Sequence, residues 1–177
     1  MAFTDPHATL LQLGLQDSMK VGDFGAGIGH YALAASPMVG TEGRVYAFDV
    51  QEDVIARLKS EAVQRNITNI TAVHCDFGKP QATKLKDGVL HAAILSNALF
   101  QLEDKEGALK EIFRTMKPGG KLLVVDWSGP HGGMGPADAH VITQSNALQL
   151  LMAAGFEKLK SFDPGDHHYA LVVTKPV

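Results

Sequence analysis

Asp23, Gly25, Gly27 and Gly29 stand at alternate positions in Val21-Gly-Asp-Phe-Gly-Ala-Gly-Ile-Gly29, and a second acid, Asp49, lies twenty residues beyond Gly29. Glycines after a strand let the backbone come close to a ligand, and the helix that begins beyond them adds the positive end of its dipole. A carboxylate closing the next strand, Val45-Tyr-Ala-Phe-Asp49, is placed to take both hydroxyls of a ribose. Together these residues describe a nucleoside-binding site. Asp23 bears on which nucleoside: a carboxylate there either suits a ligand carrying an ammonium group or braces the glycine loop.

Such a site needs strands that end at one edge of a sheet. Pro6 suits the first turn of a helix capped by Thr4 or Asp5. Lys20–Phe24 reads as the first strand, Tyr31–Ser36 as an Ala-rich helix closed near Pro37 and Gly40, and Arg44–Asp49 as the second strand. Val54, Ile55, Leu58 and Ala62 follow helical spacing to about Arg65. Ile70–Cys75 is the third strand, and the apolar run Val89–Leu95 is a fourth, covered on both faces. Leu109, Ile112, Phe113 and Met116 mark a helix ending at Lys117-Pro-Gly-Gly120, before a fifth strand, Lys121–Trp127. A Gly- and Pro-rich loop, 128–137, precedes a helix over Thr143–Ala154, and two strands, Phe156–Phe162 and His168–Thr174, close the chain. Strands and helices alternating in this way predict a parallel sheet with helices on both faces. The last two strands have only a short turn between them, so they form an antiparallel hairpin.

The 177 residues fit one domain, taken as 1–177. A formal charge of −3 gives no general pull toward nucleic acid or anionic membrane. No apolar run is long enough to span a bilayer, and the start of the chain lacks the basic and apolar parts of a signal peptide. A cytoplasmic protein without membrane insertion is expected. The single cysteine, Cys75, excludes an intramolecular disulfide and a Cys-rich metal site, and it reads as a small core residue.

The dinucleotide fingerprint Gly-x-Gly-x-x-Gly/Ala can start at Gly27 and end at Ala32, which keeps an NAD(P)-dependent oxidoreductase as an alternative. Three features weigh against it: Asp23 inside the strand end, a chain too short for a second mononucleotide half, and the terminal hairpin. Val21-x-Asp23-x-Gly25-x-Gly27-x-Gly29 instead resembles the first motif of class I S-adenosylmethionine-dependent methyltransferases. The resemblance runs over nearly the whole chain. It implies a single-domain Rossmann-like α/β fold, with a seven-stranded sheet in the order 3-2-1-4-5-7-6 and strand seven antiparallel. Among subgroups, the small ubiquinone/menaquinone-biosynthesis-like enzymes are the most similar, which makes a quinone-like ring the guess for the acceptor.

The same resemblance assigns the cofactor site to Asp23, Gly25, Ala26, Gly27 and Gly29, to Asp49 and Val50 for the ribose, and to Asp76 and Phe77 for the adenine. Asn97, in Ser96-Asn-Ala-Leu99, falls beside the methionine part. Asp49 can also cap the segment starting at Gln51, and Asp76 can cap a turn with Gly78. His30 lies next to the glycine turn. No metal is expected.

The implied reaction is methyl transfer from S-adenosylmethionine to a small-molecule acceptor by direct displacement, leaving S-adenosylhomocysteine. His167 and Asp126 are the catalytic candidates. His167 falls in the turn between the last two strands, at the carboxyl edge where open α/β sheets bind ligands, and imidazole titrates near neutral pH. His131 and His140 flank the loop after the fifth strand and either reach the same mouth or stay on the surface. The segment Ser96-Asn-Ala-Leu99 is unlike the Asn-Pro-Pro-Tyr type associated with nucleobase amino groups. The acceptor side must come from the N-terminal helix, residues 128–142 and the hairpin turn. Closure falls either to the Gly132–Gly135 stretch or to a second copy in a homodimer. A module that binds the nucleoside without turning it over is the remaining alternative.

Overall fold

The computed structural model describes residues 4–130 and 135–177. His131 and the 132–134 part of the expected closing stretch lie outside the described residues, as do residues 1–3. Seven strands form one sheet in the order β3-β2-β1-β4-β5-β7-β6. They are β1 Lys20–Phe24, β2 Arg44–Asp49, β3 Ile70–His74, β4 Leu90–Ser96, β5 Met116–Trp127, β6 Glu157–Phe162 and β7 His168–Thr174. The β3, β2, β1, β4 and β5 neighbours pair in parallel. β7 is antiparallel to both β5 and β6. The expected strand order and the antiparallel seventh strand are therefore found.

Helices cover both faces, because the central strands are apolar on both sides and neither face can be left to water. The cluster on one face takes Leu10 from α1 (Pro6–Leu10), Tyr31 and Ala35 from α2 (His30–Met38) and Leu58 from α3 (Glu52–Gln64). The other takes Leu109 and Ile112 from α4 (Lys105–Thr115) and Ala147 and Leu151 from α5 (Gln144–Ala153). Side chains that cap three of these helices set their starts. Asp5 accepts from the His7 and Ala8 amides, Asp104 from the Gly107 amide and Thr143 from the Asn146 amide.

Several bounds move by a residue, among them β3, β4, α5 and β6, and two differences have a plain physical reason. α2 runs past Ser36 through Pro37 to Met38 and closes before Gly40, within the expected stop. In the last turn a proline forfeits one hydrogen bond, and the Val39 amide still reaches the Ala35 carbonyl at 3.2 Å. β5 starts at Met116 rather than Lys121. Met116 pairs with Leu90 and Lys121 with Ala92, so the residues between bulge out of the ladder before pairing resumes.

The long connection from β3 to β4 is fastened to α4 by one buried acid. Glu111, 3% exposed, accepts from the Gln81 amide at 3.1 Å, the Thr83 hydroxyl at 2.6 Å and Arg114 Nε at 2.9 Å. Burial pushes its pKa up, but Arg114, Thr83 and the Gln81 amide more than offset this and hold it at about 2. Glu111→Ala strips the partner from three donors and is expected to cost about 3 kcal/mol in urea denaturation. A cost below about 1 kcal/mol would show that the connection is held by other contacts.

Candidate functional site

The connections that follow β1, β2, β3 and β4 meet at the carboxyl edge of the parallel strands and enclose a cleft of about 760 Å³. That volume suits a nucleoside-sized ligand. The turn after β1 is fixed by its own backbone. The Gly25 and Ala26 amides both donate to the Phe48 carbonyl, at 2.8 and 2.9 Å, and the Gly29 amide donates to the Ala26 carbonyl at 2.9 Å. Gly29 has φ +90°, and a Cβ there would meet Leu58 Cδ1 at 2.3 Å. Gly27 has φ +54°, but a Cβ there would meet nothing within 4 Å, so its open side is cleft rather than core.

Asp49 joins two connections. One carboxylate oxygen accepts from the Gly27 amide at 2.8 Å, and the other accepts from the Gln51 amide at 2.9 Å. It does not act as the N-cap of α3, a position held by Gln51. A carboxylate has about four acceptor positions, so two remain for ligand hydroxyls.

Asp23 is 1% exposed and lines the cleft. The Ala32 amide supplies one hydrogen bond, while the second oxygen, Oδ2, is buried with no hydrogen-bond partner. Burial above all, with Asp49 adding to it, pushes its pKa up to about 7 against the pull of the Ala32 amide. A buried acid short of a partner is costly, and a cation entering the cleft would relieve that cost.

Of the other expected cofactor residues, Ala26, Val50, Phe77 and Asn97 line the cleft. Phe77 is held edge-on against Phe24, with ring centroids 5.4 Å apart. Asn97 has φ +52°, and its side-chain oxygen is buried without a hydrogen-bond partner. Asp76 is exposed and bonded to the Gly78 amide at 3.1 Å and to Lys79, and it does not form part of the cleft wall. Thr4, Tyr31, Gln101 and Leu102 line the cleft without having been read from the sequence as site residues. Tyr31 had a usable signal, since it sits in the first helical turn after the glycines. Cys75 is pushed up to about 11, first by burial and then by Glu111, Asp76 and Asp49, so the thiol stays protonated and inert.

Neither catalytic candidate lines the cleft. His167 occupies the β6–β7 turn at φ +66°, and its carbonyl accepts from the Ser128 amide at 2.9 Å. His168, beside it, is buried against Trp127 with ring centroids 4.3 Å apart. The pairing of Trp127 with His168 puts this turn at the same sheet edge as the cleft. Asp126 is buried under the turn after β4. Among the described residues, no group of three His, Cys, Asp or Glu is placed to hold a metal, and no helix is long and apolar enough to cross a membrane.

A family model described as a methyltransferase domain matches residues 15–162. The chain belongs to this family, within the class I S-adenosylmethionine-dependent methyltransferases. A ubiquinone/menaquinone biosynthesis C-methyltransferase, UbiE, from Pasteurella multocida is 32% identical over 66% of this chain and 43% of its own length. The chain thus spans less than half of that relative. A solved S-adenosylmethionine-dependent methyltransferase from Aquifex aeolicus is 25% identical, with TM-score 0.89 over 98% of this chain and 90% of that one. A Haemonchus contortus phosphoethanolamine N-methyltransferase, solved with S-adenosylmethionine bound, shares the fold at TM-score 0.80 and 14% identity, over 97% of this chain and 52% of that one.

Asp23 binds its proton more tightly folded than unfolded, so it withdraws stability as pH rises from its ordinary value of 3.8 toward about 7. Asp23→Asn escapes that loss. The variant is expected to be about 2 kcal/mol more stable than the ligand-free parent at pH 8 and equal or less stable at pH 4. Paired urea titrations at the two pH values check this, and equal effects at both would refute the burial argument.

Proposed function

We propose that this protein transfers the methyl group of S-adenosylmethionine to a small-molecule acceptor, with the donor lying along the carboxyl edge of β2, β1 and β4. The observation that carries the reading is the pair of acids in one cleft. Asp49 is already aligned by the Gly27 and Gln51 amides and has acceptor positions to spare for a ribose, and Asp23 offers a buried oxygen that has no partner. A nucleoside bearing an ammonium group satisfies both. Phe77 supplies an apolar wall toward the adenine side.

In the reaction, a lone pair or carbanion of the acceptor forms a bond to the methyl carbon as the carbon–sulfur bond breaks. The bonding pair goes to sulfur, and the sulfonium becomes a neutral thioether. The donor carries its own activation, so the protein has to align the acceptor behind the methyl and exclude water. A general base is needed only for an acceptor that must lose a proton. We assign that proton to His167, which stands on the β6–β7 turn at the same sheet edge. Closure over the acceptor falls to the start of α1 and to Thr4, two residues ahead of it, because Thr4 and Pro6 line the cleft within one chain. A quinone-type ring is the acceptor class that the name of the UbiE relative supports.

Isothermal titration with S-adenosylmethionine and S-adenosylhomocysteine tests the central claim, with micromolar binding of both expected. Asp49→Ala should weaken both by about 1.5–3 kcal/mol, the worth of charge-assisted hydrogen bonds. Undiminished affinity would remove the ribose assignment. His167→Ala should leave cofactor affinity within twofold and lower turnover at least tenfold on an acceptor that must be deprotonated. An unaltered rate would sink the assignment of the base.

A further inference from the structure

Asp126, the penultimate residue of β5, is 1% exposed and does not line the cleft. Its oxygens are committed to backbone. Oδ2 accepts from the Phe100 amide at 3.2 Å, Oδ1 from its neighbour's amide, that of Trp127, at 2.8 Å, and the Leu99 amide also bonds to the carboxylate. Leu99 and Phe100 belong to a single 3-10 turn, Leu99–Gln101, immediately after β4. That turn is the back of the cleft's β4 wall, which presents Ser96, Asn97, Ala98, Gln101 and Leu102 to the ligand space.

The same wall is fastened at two further points. The Asn97 amide donates to the Val125 carbonyl at 2.8 Å, and Gln101 Nε2 donates to the Asn97 carbonyl at 2.7 Å. Between them Asn97 is kept at φ +52°, a left-handed conformation that a non-glycine residue adopts only when its surroundings hold it there. Its buried side-chain oxygen lacks a hydrogen-bond partner. On the other side Ala98 abuts the glycine turn so closely that a Cβ on Gly25 would meet its methyl at 2.7 Å. A shift of the 99–101 turn therefore moves Asn97 and presses on Gly25 together.

We propose that Asp126 is a positioning residue: by holding the Leu99–Gln101 turn from behind, its carboxylate sets Asn97 and Ala98 against the amino-acid end of the bound donor. This inference rests on the proposed function. A general base has to come within hydrogen-bond reach of the proton it takes, and Asp126 is buried beneath the turn with both oxygens occupied. Burial pushes its pKa up to about 6, against the pull of the Trp127, Phe100 and Leu99 amides and of Lys105. At neutral pH it is thus the ionised acceptor that three amide donors call for.

Adenosine and S-adenosylhomocysteine separate the two halves of the cleft, since adenosine engages the Asp49 and Phe77 side and lacks the amino-acid end. In Asp126→Asn one amide loses its acceptor to an NH2 group. S-Adenosylhomocysteine affinity is expected to fall tenfold or more, while adenosine affinity stays within twofold of the parent. Asn97→Gly, which leaves Asp126 untouched and accepts a positive φ, should show the same split. The double variant should lose no more than the larger single loss, because both act through one wall. Unchanged S-adenosylhomocysteine affinity in Asp126→Asn overturns the proposal. Equal losses for both ligands do so too, since they would signal a general loss of structure. An additive double variant would show that Asp126 does not act through Asn97 and overturns it as well. If the parent protein binds neither ligand, the proposed function itself fails, a result distinct from any of these.

Discussion

The carboxylate of Asp49 takes the Gly27 amide on one oxygen and the Gln51 amide on the other, at 2.8 and 2.9 Å. Through that single group the turn after β1 and the turn after β2 become one rigid surface. The remaining contacts of the turn depend on this registration. Gly25 and Ala26 reach back to the Phe48 carbonyl, one residue before Asp49, so the loop is tied to the end of β2 by three amides. A ligand approaching this edge meets donors and acceptors already in place, and little ordering entropy has to be lost on binding.

Preorganisation of this kind has a cost in the empty protein. Asp23 is buried with an unpartnered oxygen, next to the charge of Asp49, and Asn97 is held at positive φ with its own oxygen unpartnered. Each is a local violation of the rule that buried polar groups are paired. They stand on β1 and just after β4, neighbouring strands, and both line the same cleft. The Tyr169 hydroxyl is a further such group away from the cleft, but two in one cavity mark a place where stability is given up for a ligand, and the apolar clusters on both faces of the sheet supply the margin.

The fold was largely legible because the strands are punctuated. β1, β2 and β7 begin and end where the apolar runs meet Lys20, Gly25, Asp49 and Thr174, and their bounds agree with the sequence reading. Reading was poorest where backbone geometry overrides residue type. Pro37 reads as a helix stop, yet in a last turn it removes only one bond. Lys117-Pro-Gly-Gly120 reads as a turn, yet β5 already pairs at Met116 and bulges through it. Gly25, Gly27 and Asp49 are brought together at the cleft as the sequence spacing suggests, while Gly29 packs toward Leu58 and does not line it. Tyr31, Gln101 and Leu102 were not legible, because a cleft wall can be built from almost any side chain of suitable size.

The same asymmetry explains why the donor half of the site can be read and the acceptor half cannot. A sulfonium donor asks the protein for recognition of a fixed nucleoside, so amides and carboxylates at fixed spacing are required. Displacement on its methyl group asks only for alignment and dryness, which no particular residue type monopolises. Under the proposed function the topology divides the work accordingly. β1, β2 and β4 end in the turns that line the cleft, while at the same edge β5 ends at Trp127 and β7 begins at His168, just after His167. Asp126 sits at the boundary, on the acceptor-side strand but bonded to the donor-side wall. On the proposed roles, a change of acceptor would be accommodated by altering the β5 and β7 ends, with the carboxylate at 126 and the amides it holds left in place.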